Sequence, residues 1–212
     1  MTNVTTGISR RQVLGLVGAG CGLVLLDGCK HEAKWHGTDV TGTSPALLFT
    51  MAHVPDGKEM TALDYRGKVV MLYLGYTFCP DICPTTLASI SEIMTRLGAD
   101  AQHVAVLFVT VDPNRDTLPV LADYVQNFAP QIVGLRGTSD QLAALARRYR
   151  LAYSVTPESA GHPYEVTHSS AIYVFDGSGA ARLLLSSLST ASPDLAGITA
   201  DLKRLVSETS AA

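Results

Sequence analysis

From Lys68 onward the chain alternates between apolar runs and amphipathic stretches. Val69-Val70-Met71-Leu72-Tyr73-Leu74 is a continuous apolar run, which predicts a strand buried on both faces. Pro84 opens a helical stretch to about Leu97, with Leu87, Ile90, Ile93, Met94 and Leu97 along one face. Val104–Val111 predicts a second buried strand, stopped by Asp112-Pro113. A helix follows over about Leu118–Phe128, then a short strand or turn at Gln131–Leu135. Ser139 reads as the N-cap of a helix running to Tyr149. Ala152–Val155 and Ala171–Phe175 predict strands on either side of a polar loop, Thr156–Val166. A turn at Asp176–Gly179 leads to a hairpin partner at Ala181–Leu185, and a last helix runs from near Ser192-Pro193 to Ser207. Ahead of these, Ala46–Met51 and Glu59–Thr61 predict short strands around a Pro55-Asp56-Gly57 turn. Strands alternating with helices and closed by a hairpin and helix make an α/β fold, a central mixed sheet flanked by helices.

The N-terminus follows a different pattern. Two arginines, Arg10 and Arg11, stand directly before the fourteen-residue apolar stretch Val13–Leu26. At 1.5 Å rise per residue that stretch spans ~21 Å, short of the ~30 Å hydrocarbon core. A basic start and a short apolar run read as an export signal of twin-arginine type. Leu26-Asp27-Gly28-Cys29 resembles a lipobox, which would place a lipid on Cys29. The chain is thus expected to comprise an export signal with lipobox, or a membrane anchor, at 1–29. A polar tether at 30–44 and one folded domain at 45–207 follow. The domain is placed outside the cytoplasm, on the periplasmic face of a bacterial inner membrane.

Composition narrows the partners. Sixteen Lys+Arg against nineteen Asp+Glu give a net charge of −3, with no basic excess to neutralise nucleic-acid phosphates. With 47% apolar and 17% charged residues the chain is neither disordered nor fibrous. Four cysteines are too few for a disulfide scaffold, so their placement carries the information. Cys21 lies in the leader and Cys29 at its end, which leaves Cys79 and Cys83 in the domain.

Cys79-Pro80-Asp81-Ile82-Cys83-Pro84 sits where the first long strand hands over to the first helix. Residues four apart on a helix face have Cα atoms ~6 Å apart, close enough for a disulfide or a shared metal. A helix N-terminus favours thiolate over thiol and lowers a cysteine pKa, which suits a metal ligand and a redox thiol equally. A four-residue loop constrains the unfolded chain little, which counts against a purely structural disulfide. His168 stands just before the apolar strand Ala171–Phe175, and strand ends on one edge of an α/β sheet gather residues from distant segments.

Tyr76-Thr77-Phe78-Cys79-Pro80-Asp81-Ile82-Cys83-Pro84 resembles the signature of the Sco family, also called SenC. Two further segments match in order. One is Thr110-Val111-Asp112-Pro113-Asn114-Arg115-Asp116-Thr117, continuing through Leu121, Tyr124, Phe128, Pro130 and Gly134-Leu135. The other is Thr167-His168-Ser169-Ser170, followed by Tyr173-Val174-Phe175-Asp176 and Gly179. The resemblance spans about residues 45–206. It departs at Thr167, where the family often has Asp, at Phe78, often His or a small residue, and at Leu118, where Pro often stands.

The resemblance implies a thioredoxin-like fold and a copper-binding assembly factor for cytochrome c oxidase, with Cys79, Cys83 and His168 as ligands. Two thiolates and an imidazole are soft-to-intermediate donors, and Cu(I) accepts three of them where structural zinc takes four. Copper, as Cu(I) or Cu(II), is therefore the expected ion. The implied partners are the copper-bearing subunit of the oxidase, other copper carriers or thioredoxin-like reductants, and the membrane. The alternative is a thiol–disulfide oxidoreductase that cycles Cys79 and Cys83 through a disulfide and reduces the cysteines of the oxidase copper site. Asp81 either tunes the cysteines, meets a partner, or simply complements the helix dipole. Asp112 and Arg115, with Asp116, are read first as capping and ion-pair residues, with docking a partner or bracing the site as the alternative.

Overall fold

The structure, a computed structural model, describes residues 1–2, 34–186 and 188–211, and divides into Met1–Lys34 and Trp35–Ala212. The leader and Cys29 lie outside the described residues. The second unit runs β1 (Thr38–Asp39), β2 (Thr50–His53), β3 (Glu59–Thr61), β4 (Val69–Gly75), α1 (Ile82–Leu97), β5 (Val104–Thr110), α2 (Leu118–Val125) and β6 (Ile132–Arg136). It continues through α3 (Ser139–Tyr149), β7 (Tyr153–Thr156), β8 (Glu165–His168), β9 (Ile172–Phe175), β10 (Ala181–Leu185) and α4 (Leu195–Ser210).

Every residue of β4 and β5 is buried, as their unbroken apolar runs require. The main sheet has the order β1-β10-β9-β4-β5-β6-β2-β3. β4, β5 and β6 pair in parallel, and antiparallel strands extend the sheet on both sides. It is the mixed sheet expected. Alternation along β4 divides the core. Val69, Met71 and Tyr73 pack with Leu87 and Ile90 of α1, Leu121 of α2 and Leu202 of α4, while Val70, Leu72 and Leu74 pack with Leu142, Leu145 and Tyr149 of α3.

Several boundaries differ from expectation, each for a local reason. β2 begins at Thr50 rather than at Ala46, because Ala46 spends its carbonyl on Tyr149 and Arg148 and so is not laddered. Thr138, not Ser139, caps α3, because its hydroxyl accepts from the Gln141 N–H while the Gln141 side chain returns to the Thr138 N–H. α2 ends at Val125, short of Phe128. The segment expected as tether folds from Trp35 onward. The carboxylate of Asp201, only 4% exposed, accepts from the backbone N–H groups of His36 (2.9 Å) and Gly37 (2.8 Å). The Arg204 guanidinium lies 3.9 Å from the Trp35 ring centre, and β1 then pairs with β10. A buried carboxylate needs donors, and this segment supplies them.

β4 and β5 end together, at Gly75 and Thr110, and the chemistry gathers there. A Cβ at Gly75 would stand 2.8 Å from Cys83 Sγ and would collide with the Phe108 ring. Gly75→Ala is therefore expected to lower the unfolding free energy by about 1–3 kcal/mol, the usual range for overpacking. Urea unfolding measures it, and an unchanged midpoint would show that Cys83 and Phe108 have room to yield.

Candidate metal centre

After Gly75 the chain turns once, with the Cys79 N–H donating to the Tyr76 carbonyl at 3.3 Å, and then enters α1 at Ile82. Cys83 lies in the first turn of α1 with no exposed surface, whereas Cys79 is half-buried in the turn before it. The two cysteines therefore do not share a helix face, as their spacing had suggested. The turn, not the helix, brings them together. Both are thiols in this structure.

His168 ends β8, which pairs with β7 in a two-stranded ribbon outside the main sheet. Sequence had placed a polar loop up to Val166, but Glu165–His168 is a strand, with Val166 buried and the others facing outward or half-buried. The Sγ atoms of Cys79 and Cys83 and a ring nitrogen of His168 all lie within 4.8 Å of one another. Nε2 of His168 is 3.2 Å from Cys83 Sγ. Nδ1 lies 3.0 Å from the Ser169 carbonyl, which can only accept, so Nδ1 carries the hydrogen and Nε2 keeps its lone pair toward the thiols. Tyr73 and Tyr76 both meet the imidazole edge to face, with ring centres at 5.9 and 5.7 Å. The Tyr73 hydroxyl donates to Cys83 Sγ at 3.7 Å, and the Tyr76 hydroxyl donates to the Val166 carbonyl at 3.2 Å.

Burial pushes the Cys83 thiol up to about 12, with neighbouring Cys79 adding to the rise, so the lowering expected from the helix terminus does not prevail. Burial also pulls His168 below its ordinary 6.5. Both shifts favour the neutral forms of these two groups, a Cys83 thiol and a His168 imidazole. A cation displaces the thiol proton and reverses that balance. Peptide-resolved alkylation of the reduced, metal-free chain at pH 8 should modify Cys79 well before Cys83; equal rates would contradict the burial of Cys83.

The sign for His168 follows from its depressed value. Between its folded pKa and 6.5 the unfolded chain binds more protons, so the stability held above 6.5 is lost as pH falls through that window. Metal-free protein should lose stability over this range, and His168→Gln should flatten the slope. A Gln variant with the wild-type slope would assign it to another group.

The bracing residues come from the loop after β5. Asp116 is fully buried and accepts from the Thr77 N–H (3.0 Å), the Thr77 hydroxyl (2.6 Å) and the Thr110 hydroxyl (2.5 Å). It thus fixes the turn two residues before Cys79. Asp112, also fully buried, pairs with the Arg115 guanidinium and accepts from the Tyr164 hydroxyl at 2.6 Å. Asp81 is exposed at the N-cap of α1 and makes no side-chain capping bond there. Tyr73, Gly75 and Tyr164 carry no role in the sequence reading, and Tyr76 enters it only within the cysteine motif. The period of two along β4 does place Tyr73 and Gly75 on the face toward α1, and so toward Cys83.

The sequence pattern of SCO1/SenC matches residues 49–207. The chain belongs to the SCO1/SenC family. Mitochondrial SCO2 homologues are similar to it. That of mouse is 35% identical over 180 residues, covering 81% of this chain and 69% of the mouse protein. That of cattle is 42% identical over 125 residues, covering 58% of this chain and 47% of its own, so the Sco-like chain spans about half the cattle protein. Among solved structures, copper-bound ScoI of Bradyrhizobium japonicum superposes with a TM-score of 0.66 at 33% identity, covering 76% of this chain and 99% of that one. The fold is accordingly the thioredoxin-like fold of Sco proteins.

Proposed function

We propose that this Sco-family chain binds one copper ion through Cys79, Cys83 and His168 and delivers it to the copper site of cytochrome c oxidase during assembly. The carrying observation is the donor set, two sulfurs and one imidazole nitrogen within 4.8 Å, with no fourth His, Cys or carboxylate grouped with them among the described residues. Three donors suit Cu(I) and leave structural zinc one ligand short. Copper bound to the related ScoI supports the same cargo. The ligands come from two bodies, a turn leading into α1 and the end of the β7–β8 ribbon, so an acceptor can take the ion by replacing ligands in turn.

A second reading is thiol–disulfide exchange between Cys79 and Cys83. The half-buried Cys79 beside the buried Cys83 favours it, because one sulfur is open to attack and the other is placed to resolve. The raised Cys83 thiol disfavours it as the attacking group. Localisation and partners form part of the proposal: an exported domain on the periplasmic face, held by a lipid on Cys29 or an uncleaved leader. There it would meet the oxidase's copper-bearing subunit, other copper carriers or thioredoxin-like reductants. No described helix is long and apolar enough to cross a membrane.

Loaded with Cu(II), the reduced chain should hold about one copper at this site and show a visible thiolate-to-copper charge-transfer band. A complex that shows a Cu(II) electron paramagnetic resonance signal but no such band would place the Cu(II) elsewhere.

A further inference from the structure

We infer that Arg115 is a positioning residue, a latch that holds the β7–β8 ribbon, and with it His168, closed against the cysteine turn. Its guanidinium carbon lies 4.3 Å from the ring centre of Tyr164, 4.7 Å from that of Phe78 and 5.8 Å from that of Tyr76. These rings belong to different parts of the site. Tyr76 and Phe78 precede Cys79 on the turn, while Tyr164 stands immediately before β8. The other side of the guanidinium is fixed by the carboxylate of Asp112, which is fully buried and is bonded in turn by the Tyr164 hydroxyl. Arg115 therefore touches both bodies that carry the ligands and is itself tied to the end of β5.

The ribbon has few other ties. It pairs with no strand of the main sheet; its hydrogen bonds to the body are Tyr76 to the Val166 carbonyl and Tyr164 to Asp112, and Val166, Tyr153 and Val155 pack against the core beside β4. A planar cation stacked among three rings contributes a substantial share of such a closure. Arg115 is one-third exposed and Phe78 is 58% exposed, so the stack lies at the mouth of the site beside Cys79, not in the core. Opening the ribbon would withdraw Nε2 of His168 from Cys83 Sγ and leave two sulfurs. That step converts a three-donor site into a two-donor site without breaking the main sheet. The consequence for cargo release rests on the copper reading above, whereas the latch itself does not.

The test is amide hydrogen exchange on the reduced, metal-free full chain, with Cu(I) transfer to a chromogenic chelator as a separate arm. Arg115→Gln should speed exchange in β8 by about tenfold while leaving β4 and β5 unchanged, the size set by losing a partly desolvated cation–π stack. Arg115→Lys, which keeps the charge for Asp112 but not the planar stack, should fall between wild type and Gln. Unchanged β8 exchange in Arg115→Gln would overturn the inference. So would an equal rise in β4 and β5, because Arg115 would then serve general stability. Should Arg115→Gln fail to fold, Tyr164→Leu removes one ring and should loosen β8 alone; no loosening there would equally overturn it. In the copper arm, Arg115→Gln should release Cu(I) about tenfold faster if ribbon opening precedes release. A loosened ribbon with wild-type release would refute its control of the cargo. Failure of the wild-type chain to take up copper would contradict the copper reading alone, and the exchange arm would still decide the latch.

Discussion

Replacing Cys83 with Ser should weaken and shift the visible copper–thiolate band and lower copper affinity by at least ~100-fold, more than losing an outer partner of a ligand would. Cys83 is the proposed ligand on which the other features of the site converge. It has no exposed surface, it faces Nε2 of His168 at 3.2 Å, and it receives the Tyr73 hydroxyl at 3.7 Å. A serine hydroxyl is a hard, weakly acidic donor, and it leaves a soft ion with one sulfur and one nitrogen. His168→Ala should act in the same direction while retaining both sulfurs and part of the band. Competition against a copper chelator and the visible spectrum measure both variants. Full affinity in His168→Ala would remove the imidazole from the site. Tyr73→Phe separates the ligand from its surroundings: the ring stays against His168 while the hydroxyl at Cys83 is lost, so the band should shift in energy without disappearing.

The second large effect is on stability. Asp116→Ala should lower the unfolding free energy by about 3–5 kcal/mol, because three donors lose their acceptor and each unpaired buried donor carries about 1–3 kcal/mol. Those donors are the Thr77 N–H, the Thr77 hydroxyl and the Thr110 hydroxyl. Thr77 lies on the turn that presents Cys79, so the damage should not remain thermodynamic. Copper affinity should fall in the folded fraction as well. Denaturant unfolding, followed by copper titration under native conditions, checks both halves. A variant with wild-type stability would mean that the donors find other acceptors within the turn.

The parts of this account that were legible in the sequence are those written as local patterns. The unbroken apolar runs Val69–Leu74 and Val104–Val111 required strands buried on both faces, and such strands can only be central. The cysteine pair between a strand and a helix was equally plain, and the order of three matched segments brought His168 to it from 85 residues away. What escaped depends on distance in space or on balances of opposing terms. β8 has one buried residue in four and pairs outside the main sheet, so Glu165-Val166-Thr167-His168 carries almost no strand signal. The strap at Trp35–Asp39 has no periodicity, and its reason for docking, a buried carboxylate at Asp201, lies at the far end of the chain. The Cys83 thiol answers to both a helix terminus and burial, and only the fold reveals how complete the burial is. Arg115 looked like a local ion-pair residue, and that pair is present. Its stack on Phe78 and Tyr164, residues on either side of it in the chain, exists only once turn and ribbon meet.

Chaperone and reductase readings share Cys79 and Cys83, and they part on a single comparison. The reduced full chain is titrated with Cu(I) against a competing chelator, and the same preparation is assayed for insulin reduction. The account predicts one tightly held copper, lost in Cys83→Ser and weakened in His168→Ala, with negligible insulin turnover. Rapid insulin reduction together with copper affinity unchanged by Cys83→Ser would contradict it.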